Sequence, residues 1–179
     1  MRSFRDKVVV ITGAGCGIGR GLAEVFCEAG ARLALADIRG ERLEEVSQRL
    51  EARGATVSTH EVDVGSEKQM EQFAHDVLDE HGHVDVLINN AGIGIGGELA
   101  ETTLEEFRKL MDVNFWGVVY GVHFFTPHML ERRSGHIVVV SSVMGKFSTA
   151  RRVWTPYRAS AGTSRSPRRS CSVRVSPGR

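Results

Sequence analysis

The chain has 179 residues, of which 41% are hydrophobic and 25% charged, with a net charge of +1. This composition excludes a disordered or fibrous protein and allows one domain with a substantial core. The three cysteines have no paired spacing, and the most apolar stretch, 113–130, is interrupted by Asn114 and Pro127. We therefore expect a cytoplasmic protein without a disulfide framework, a signal peptide, a membrane span or a bound metal.

Residues 7–141 repeat one pattern, in which a short β-branched run is followed by a turn and an amphipathic helical stretch. Strands are predicted at Lys7–Thr12, Arg32–Asp37, Thr56–Glu61, Asp85–Asn89 and His136–Ser141, and helices near Gly17–Ala29, Glu41–Arg53, Ser66–His81 and Thr103–Glu131. Strands such as Val8–Ile11 and Ile137–Val140 are apolar throughout, which indicates burial on both faces. The predicted fold is α/β, a doubly wound, Rossmann-like parallel sheet of about five strands in the order 3-2-1-4-5.

A glycine-rich turn directly follows the first predicted strand and opens the first helix. It contains Gly13, Gly15, Gly17 and Gly19. Glycines let the backbone turn tightly and approach a pyrophosphate, whose charge then faces the amide groups of the helix N-terminus. A simple tight turn is the alternative, but the position at the first strand–helix junction favours dinucleotide binding.

Asp37 ends the second predicted strand, 18 residues after Gly19. A carboxylate there can accept hydrogen bonds from both ribose hydroxyls and repels a 2′-phosphate. A helix cap or a loop charge is the alternative role for Asp37. The nearby Arg39 leaves room for the phosphorylated cofactor, but Asp37 favours NAD over NADP.

The glycine pattern from Thr12 to Gly19, together with Asn89-Asn90-Ala91-Gly92 after the fourth strand, resembles the short-chain dehydrogenase/reductase family. The resemblance covers residues 7 to about 160. It implies that Asp63 and Val64 contact the adenine and that Asn114 is a structural and proton-relay asparagine. The implied cofactor-binding residues are Gly13, Gly17, Ile18, Gly19, Asp37, Asp63, Val64, Asn90, Ala91 and Gly92.

By the same resemblance, Ser142 would hydrogen-bond the substrate oxygen, with Ser141 as the alternative, and Tyr157 would be the general acid/base. A phenol has a pKa of about 10 in water, so a neighbouring cation is needed to favour the phenolate at neutral pH. In the family that cation is the nicotinamide together with a lysine four residues after the tyrosine. Here that position is Ala161, and no lysine follows Lys146.

The composition changes sharply toward the C-terminus. All 22 acidic residues and 12 basic residues lie in 1–131, while 11 basic residues lie in 132–179, so the two parts carry −10 and +11. Residues 161–179 contain five Arg, five Ser and two Pro without apolar periodicity. We therefore predict an incomplete dehydrogenase domain over 1–160 and a disordered tail over 161–179. A reading-frame change just after Ser160 would explain this tail.

With a disordered tail, no further strand would cover the fifth one. Its unpaired edge predicts self-association instead of the homodimer or homotetramer that the family implies.

Three functions are compatible with these patterns. The first is an oxidoreductase that transfers hydride between NAD(H) and a small alcohol or ketone, impaired here because the active-site lysine and the substrate loop are missing. The second is a non-catalytic dinucleotide-binding fragment. The third, nucleic-acid binding through the Arg-rich tail, is disfavoured because that tail has no interleaved aromatic residues.

Overall fold

The computed structural model describes residues 3–95, 101–141 and 170–174. Within these ranges the chain forms a sheet in the order β3-β2-β1-β4-β5-β6. The strands are β1 (Val8–Thr12), β2 (Arg32–Asp37), β3 (Val57–Glu61), β4 (Val86–Asn89), β5 (His136–Val140) and β6 (Ser170–Arg174). The first five are parallel, in the predicted order 3-2-1-4-5. The doubly wound parallel sheet is therefore confirmed.

The helices lie close to the predicted ranges. They are α1 (Gly17–Glu28), α2 (Gly40–Glu51), α3 (Glu67–His81), α4 (Leu104–Met111) and α5 (Gly117–Glu131). The helix predicted over Thr103–Glu131 differs from the structure in one respect, because a π-helical turn, Asp112–Trp116, joins α4 to α5. None of the helices that the structure describes is long and apolar enough to cross a bilayer.

The sheet is buried on both faces because helices cover each side. Alternate residues of β1 point into different core clusters, with Val8 and Val10 on one side and Val9 and Ile11 on the other. The first cluster includes residues of α3 and α5, and the second includes residues of α1 and α2. Every residue of β1 is buried. The uninterrupted apolar strands in the sequence therefore reflect this two-sided burial.

The segment Ser170–Arg174 corrects the prediction for the C-terminal tail. It pairs with β5 as an antiparallel strand, in the register His136↔Arg174 to Val140↔Ser170. The prediction of disorder is wrong for these five residues, and so is the prediction of an unpaired edge on β5. The physical reason is that an edge strand presents a row of backbone N–H and C=O groups, which another strand can pair with whatever its apolar periodicity. The remaining tail residues and the predicted boundary at residue 160 lie outside the described residues.

Candidate functional site

A cleft of about 860 Å³ opens at the carboxyl ends of the parallel strands. It lies beside β1, which has β2 on one side and β4 on the other. The strand order therefore reverses at β1: β2 and β3 lie on one side of it, and β4 and β5 lie on the other. In open α/β sheets this switch point is where ligands bind. Nine predicted cofactor residues line the cleft, namely Gly13, Gly17, Ile18, Asp37, Asp63, Val64, Asn90, Ala91 and Gly92.

The glycine-rich loop at the floor of the cleft needs glycine for two different reasons. Gly13 has a positive φ of 65°, and a Cβ on it would lie 2.8 Å from Cα of Ala91. Gly19 does not line the cleft, but a Cβ on it would collide with the carbonyl oxygen of Gly13. Gly13 therefore shapes the surface of the cleft, while Gly19 lets α1 pack beneath it.

The N-terminus of α1 faces the cleft without a side-chain cap. Cys16 occupies the cap position and makes no capping hydrogen bond, and no acidic residue lies in the first turn. Gly17 and Ile18 of this turn line the cleft. Free amide groups and the helix dipole make such a terminus a site for a negatively charged group.

Asp37 ends β2 inside the cleft, and only 6% of the residue is exposed. One carboxylate oxygen, Oδ2, accepts a hydrogen bond from Gly15 N at 3.0 Å, and the other, Oδ1, accepts from Arg39 N at 3.1 Å. Each oxygen keeps a second lone pair for a further donor. The backbone therefore fixes the position of the carboxylate, which can still accept hydrogen bonds from a ligand.

Two arginines and one lysine add positive charge to the cleft. The Nη2 of Arg39 lies 3.8 Å from Sγ of Cys16, and its Nε lies 3.8 Å from Oδ1 of Asp37. Arg42 and Lys109 also line the cleft. Sequence reasoning considered Arg39 but missed the other two, because their positions on helices α2 and α4 give no local signal of which face meets the sheet edge.

The loop between β3 and α3 carries the two residues that the family resemblance assigned to the adenine. Asp63 Oδ1 accepts from Gly65 N at 2.9 Å, and Asp63 N donates to Oε1 of Gln69 at 2.9 Å. Val64 is buried where Gly117 packs against it, since a Cβ at Gly117 would lie 2.9 Å from its Cγ2. Asp63 thus rigidifies the loop, and Val64 supplies an apolar wall.

Thr12, which sequence reasoning did not assign to the site, joins the two sides of the cleft. Its Oγ1 accepts hydrogen bonds from the backbone N–H groups of Asn90 and Ala91, both at 3.0 Å. The amide Nδ2 of Asn90 donates to the Thr12 carbonyl at 2.9 Å. Among the described residues, Oδ1 of Asn90 is buried without a hydrogen-bond partner. Asn90 itself lines the cleft, so its hydrogen bonds to Thr12 help to shape the cleft wall.

Asn114 lies in the π-helical turn and not in the wall of the cleft. Its Oδ1 accepts from Ile93 N at 2.9 Å, and its Nδ2 donates to the Ile93 carbonyl at 3.0 Å. The side chain therefore pairs with the backbone after β4 as another strand would. The π turn, in which Gly117 N bonds the carbonyl of Asp112, supports this placement.

The remaining predicted catalytic residues, Ser142 and Tyr157, lie outside the described residues. Ser141, the alternative to Ser142, directly follows β5 at the carboxyl edge of the sheet. This is the edge at which the glycine-rich loop and Asn90 lie.

Comparison with known proteins gives a consistent result. The sequence pattern of the short chain dehydrogenase family matches residues 7–169. Dehydrogenase/reductase SDR family member 7B of Bos taurus is 43% identical over 155 residues, which are 83% of this chain and 48% of that protein. The putative oxidoreductase SadH of Mycobacterium tuberculosis is 40% identical over 145 residues, 81% of this chain and 52% of that protein. The chain thus spans about half the length of these relatives.

Solved structures agree in fold. A short chain dehydrogenase/reductase from Burkholderia phymatum, in complex with NAD, matches with a TM-score of 0.81 and 40% identity over 83% of this chain and 53% of that one. A metagenomic short-chain oxidoreductase in complex with NADP matches with a TM-score of 0.78 and 35% identity over 83% of this chain and 68% of that one.

Proposed function

This chain belongs to the short-chain dehydrogenase/reductase family, and on that premise we propose that it binds NAD(H) in the cleft for hydride transfer with an alcohol or ketone. The observation that carries the proposal is the glycine-rich loop, where a Cβ at Gly13 or Gly19 would meet backbone. Bare backbone beside an uncapped helix N-terminus suits a pyrophosphate.

The cofactor's halves would lie at different parts of the cleft. The pyrophosphate would contact Gly13, Gly17 and Ile18, and the adenosine ribose would donate its hydroxyls to Asp37. Asp63 and Val64 would border the adenine, while Asn90, Ala91 and Gly92 would support the ribose on the other side. When bound, the nicotinamide supplies hydride chemistry.

Preference for NAD over NADP follows from Asp37. A 2′-phosphate would be placed against a buried carboxylate, and like charges in contact are destabilising. Arg39 and Arg42 oppose this effect, since both line the same cleft. Solved relatives occur with either cofactor. We propose that the carboxylate dominates because it is fixed by two backbone donors at the end of β2.

Calorimetric titration with both cofactors tests this preference. We expect the unmodified chain to bind NAD more tightly than NADP. Asp37→Ser should reduce the ratio of the NADP and NAD dissociation constants about tenfold, which corresponds to about 1.4 kcal/mol. The matched control is Asp79→Ser, which removes the same charge from an exposed position on α3 outside the cleft. Equal or tighter binding of NADP by the unmodified chain would contradict the assignment.

The chemical step would use residues that the family resemblance identifies. Ser142 would hydrogen-bond the substrate oxygen, and Tyr157 would transfer a proton to or from it. Asn114 would hold the backbone at Ile93 in place and take part in the proton relay. Because Ala161 stands where the family has its lysine, the phenol of Tyr157 would lack a cation that favours its ionised form.

We therefore propose that turnover is impaired. NADH formation from simple secondary alcohols should be far slower than with a relative that carries the lysine. Ala161→Lys should restore little, since residues 161–179 lack the apolar periodicity of a helix that could position the new ammonium group. Vigorous NAD-dependent oxidation by the unmodified chain would contradict this proposal.

The second candidate function is a dinucleotide-binding protein without catalysis. The observation in its favour is again Ala161, because the lysine that it replaces would serve proton transfer, whereas the cleft is lined by residues of the described part of the chain. Saturable NAD binding without detectable turnover, under conditions where a complete relative is active, would select this alternative.

A further inference from the structure

Ser58 lies between two buried imidazoles, away from the cleft. Its Oγ is 2.9 Å from Nε2 of His60, on the same strand, and 2.8 Å from Nε2 of His81, the last residue of α3. His60 is 9% exposed and His81 is 6% exposed. These three side chains, which we call the histidine latch, form a polar connection between β3 and α3.

The hydrogen bonds of the latch cannot form with both imidazoles protonated. A serine hydroxyl has one proton, so it can donate to one Nε2 and accept from the other. If both rings were protonated, both Nε2 atoms would be donors and the hydroxyl proton would have no acceptor among them. Protonation of His81 would also place an N–H on Nδ1, a buried atom without a hydrogen-bond partner among the described residues. Because both rings are buried, a proton on either one costs free energy that a solvated ring does not lose.

The charged groups around the latch partly oppose each other. Burial lowers the pKa of His60, while Glu80 and Asp76 on α3 act to raise it. Burial also lowers the pKa of His81, and Arg32, His60 and His83 act in the same direction against Glu80. Burial has the largest effect in both cases, so both pKa values lie below that of an exposed histidine.

The latch is connected to the cleft through the chain. The loop 62–66 lines the cleft and links β3, which carries Ser58 and His60, to α3, which carries His81. Within the described residues, β3 is the outer strand on its side of the sheet and pairs with β2. The His60 ring lies 5.0 Å from the ring of Phe73 on α3. Loosening α3 from β3 would therefore release both anchors of the loop that holds Asp63 and Val64.

We propose that Ser58, His60 and His81 form an acid-sensitive latch that couples the shape of the cleft to pH. The prediction for cofactor affinity rests on the proposed dinucleotide binding, whereas the prediction for stability does not.

The direction in which pH changes the stability of the latch follows from proton linkage. Because the folded-state pKa values lie below the ordinary value of about 6.5, the open or unfolded state binds more protons as the pH falls below 6.5. The stabilisation is complete above that pH and declines as the pH decreases toward the folded-state pKa values.

The decisive variant is the double replacement His60→Gln and His81→Gln, which removes both titrating rings. The matched control is His75→Gln, at an exposed position on α3. Urea unfolding midpoints and calorimetric NAD dissociation constants are measured at pH 7.5 and 5.5. The unmodified chain and the control should lose stability at pH 5.5 and bind NAD about threefold more weakly or worse. In the double variant both changes should be markedly smaller.

An undiminished pH dependence in the double variant would overturn the latch. If NAD does not bind at any pH, the proposed function fails, and the unfolding midpoints still decide the latch. If the double variant does not fold, imidazole NMR titration of the unmodified chain decides. Both rings should stay neutral until the amides of β3 and α3 begin to exchange faster, and protonation of either ring without such a change would overturn the proposal.

Discussion

Asp37 and Asp85 are both buried acids beside a strand end, but they lie at opposite ends of the parallel sheet. Asp37, at the carboxyl end of β2, accepts from two backbone amides and has one guanidinium nitrogen 3.8 Å away. Asp85 directly precedes β4 at the amino end and is 1% exposed. Its carboxylate accepts from Val8 N at 3.0 Å and lies near three basic side chains, Lys7, His83 and Arg132, at 3.2, 3.1 and 3.8 Å.

The contrast between Asp37 and Asp85 indicates that the two ends of the sheet have different roles: the amino end stabilises the fold, and the carboxyl end binds a ligand. At the amino end, Asp85 accepts hydrogen bonds from Val8 and Lys7, pairs with His83 and is 1% exposed, so its carboxylate is closed to a ligand. At the carboxyl end, the backbone holds Asp37 in place, and the glycine-rich loop leaves space beside it. All strands of a parallel sheet run in the same direction, so their amino ends can be closed by ion pairs while their carboxyl ends remain open to a ligand.

Removing the charge at the amino end should have the largest effect. Asp85→Asn leaves Lys7 and Arg132 without their buried counter-ion, and we expect the free energy of unfolding to decrease by about 3–5 kcal/mol. Urea denaturation measures this change, with the exposed Asp79→Asn as control. NAD affinity of the folded variant should be unchanged. A large loss of affinity at native stability would show that the two ends are not independent.

The same carboxylate predicts an acid limit of stability. Burial alone would raise the pKa of Asp85, but hydrogen bonds from Val8 and Lys7 and the charges of Lys7 and His83 hold it below its ordinary value. Its stabilisation is therefore present above the unfolded-state pKa of about 4 and is lost as the pH falls through the lowered folded-state value. Unfolding midpoints between pH 5 and 2.5 should fall more steeply for the unmodified chain than for Asp85→Asn, and parallel curves would contradict the assignment.

Thr12→Val tests the connection across the cleft. The substitution preserves the shape but leaves the N–H groups of Asn90 and Ala91 without their acceptor, which should cost about 1–3 kcal/mol of stability and weaken NAD binding. Thr12→Ser, which retains the hydroxyl, should lose much less of both. A larger effect of Thr12→Ser than of Thr12→Val would contradict this account, because it would indicate that the methyl group, and not the hydrogen bonds, matters at this position.

Gly19→Ala should mainly affect the cleft. The new methyl group would displace the Gly13 carbonyl, and overpacking of this kind costs about 1–3 kcal/mol, so we expect NAD affinity to fall by roughly tenfold or more. The control is Gly21→Ala in the same helix, where a Cβ meets nothing within 4 Å. That change should leave affinity intact and increase stability slightly, by up to about 1 kcal/mol. Similar affinities for both variants would contradict the role of the loop.

The sequence predicts the carboxyl end of the sheet far better than the amino end. The glycine-rich loop and Asp37 follow strands whose apolar runs are visible locally, so their placement at one edge follows from the parallel topology. The partners of Asp85 are remote in sequence, and only the register of β1, β4 and α5 brings Lys7 and Arg132 to it. The histidine latch was not predicted for the same reason, since Ser58 contacts His81 only because α3 packs against β3.

Backbone pairing limits the prediction at the other side of the sheet. β6 has no uninterrupted apolar run, and its pairing with β5 depends on main-chain groups that every residue carries. The contact of Asn114 with Ile93 likewise requires the π turn, which shifts the helical phase and has no signal in the apolar pattern. Side-chain periodicity therefore predicts the five parallel strands, while β6 and the π turn needed the structure.

The most direct test of the carboxyl edge as the dinucleotide site is an amide NMR titration of the unmodified chain with NAD. We expect saturable shifts concentrated at the glycine-rich loop from Gly13 to Gly19, at Asp37 and Asp63, and at Asn90 to Gly92. The amides around Asp85 at the opposite edge should be unaffected. Shifts centred on the amino end, or none at millimolar NAD while the chain is folded, would contradict it.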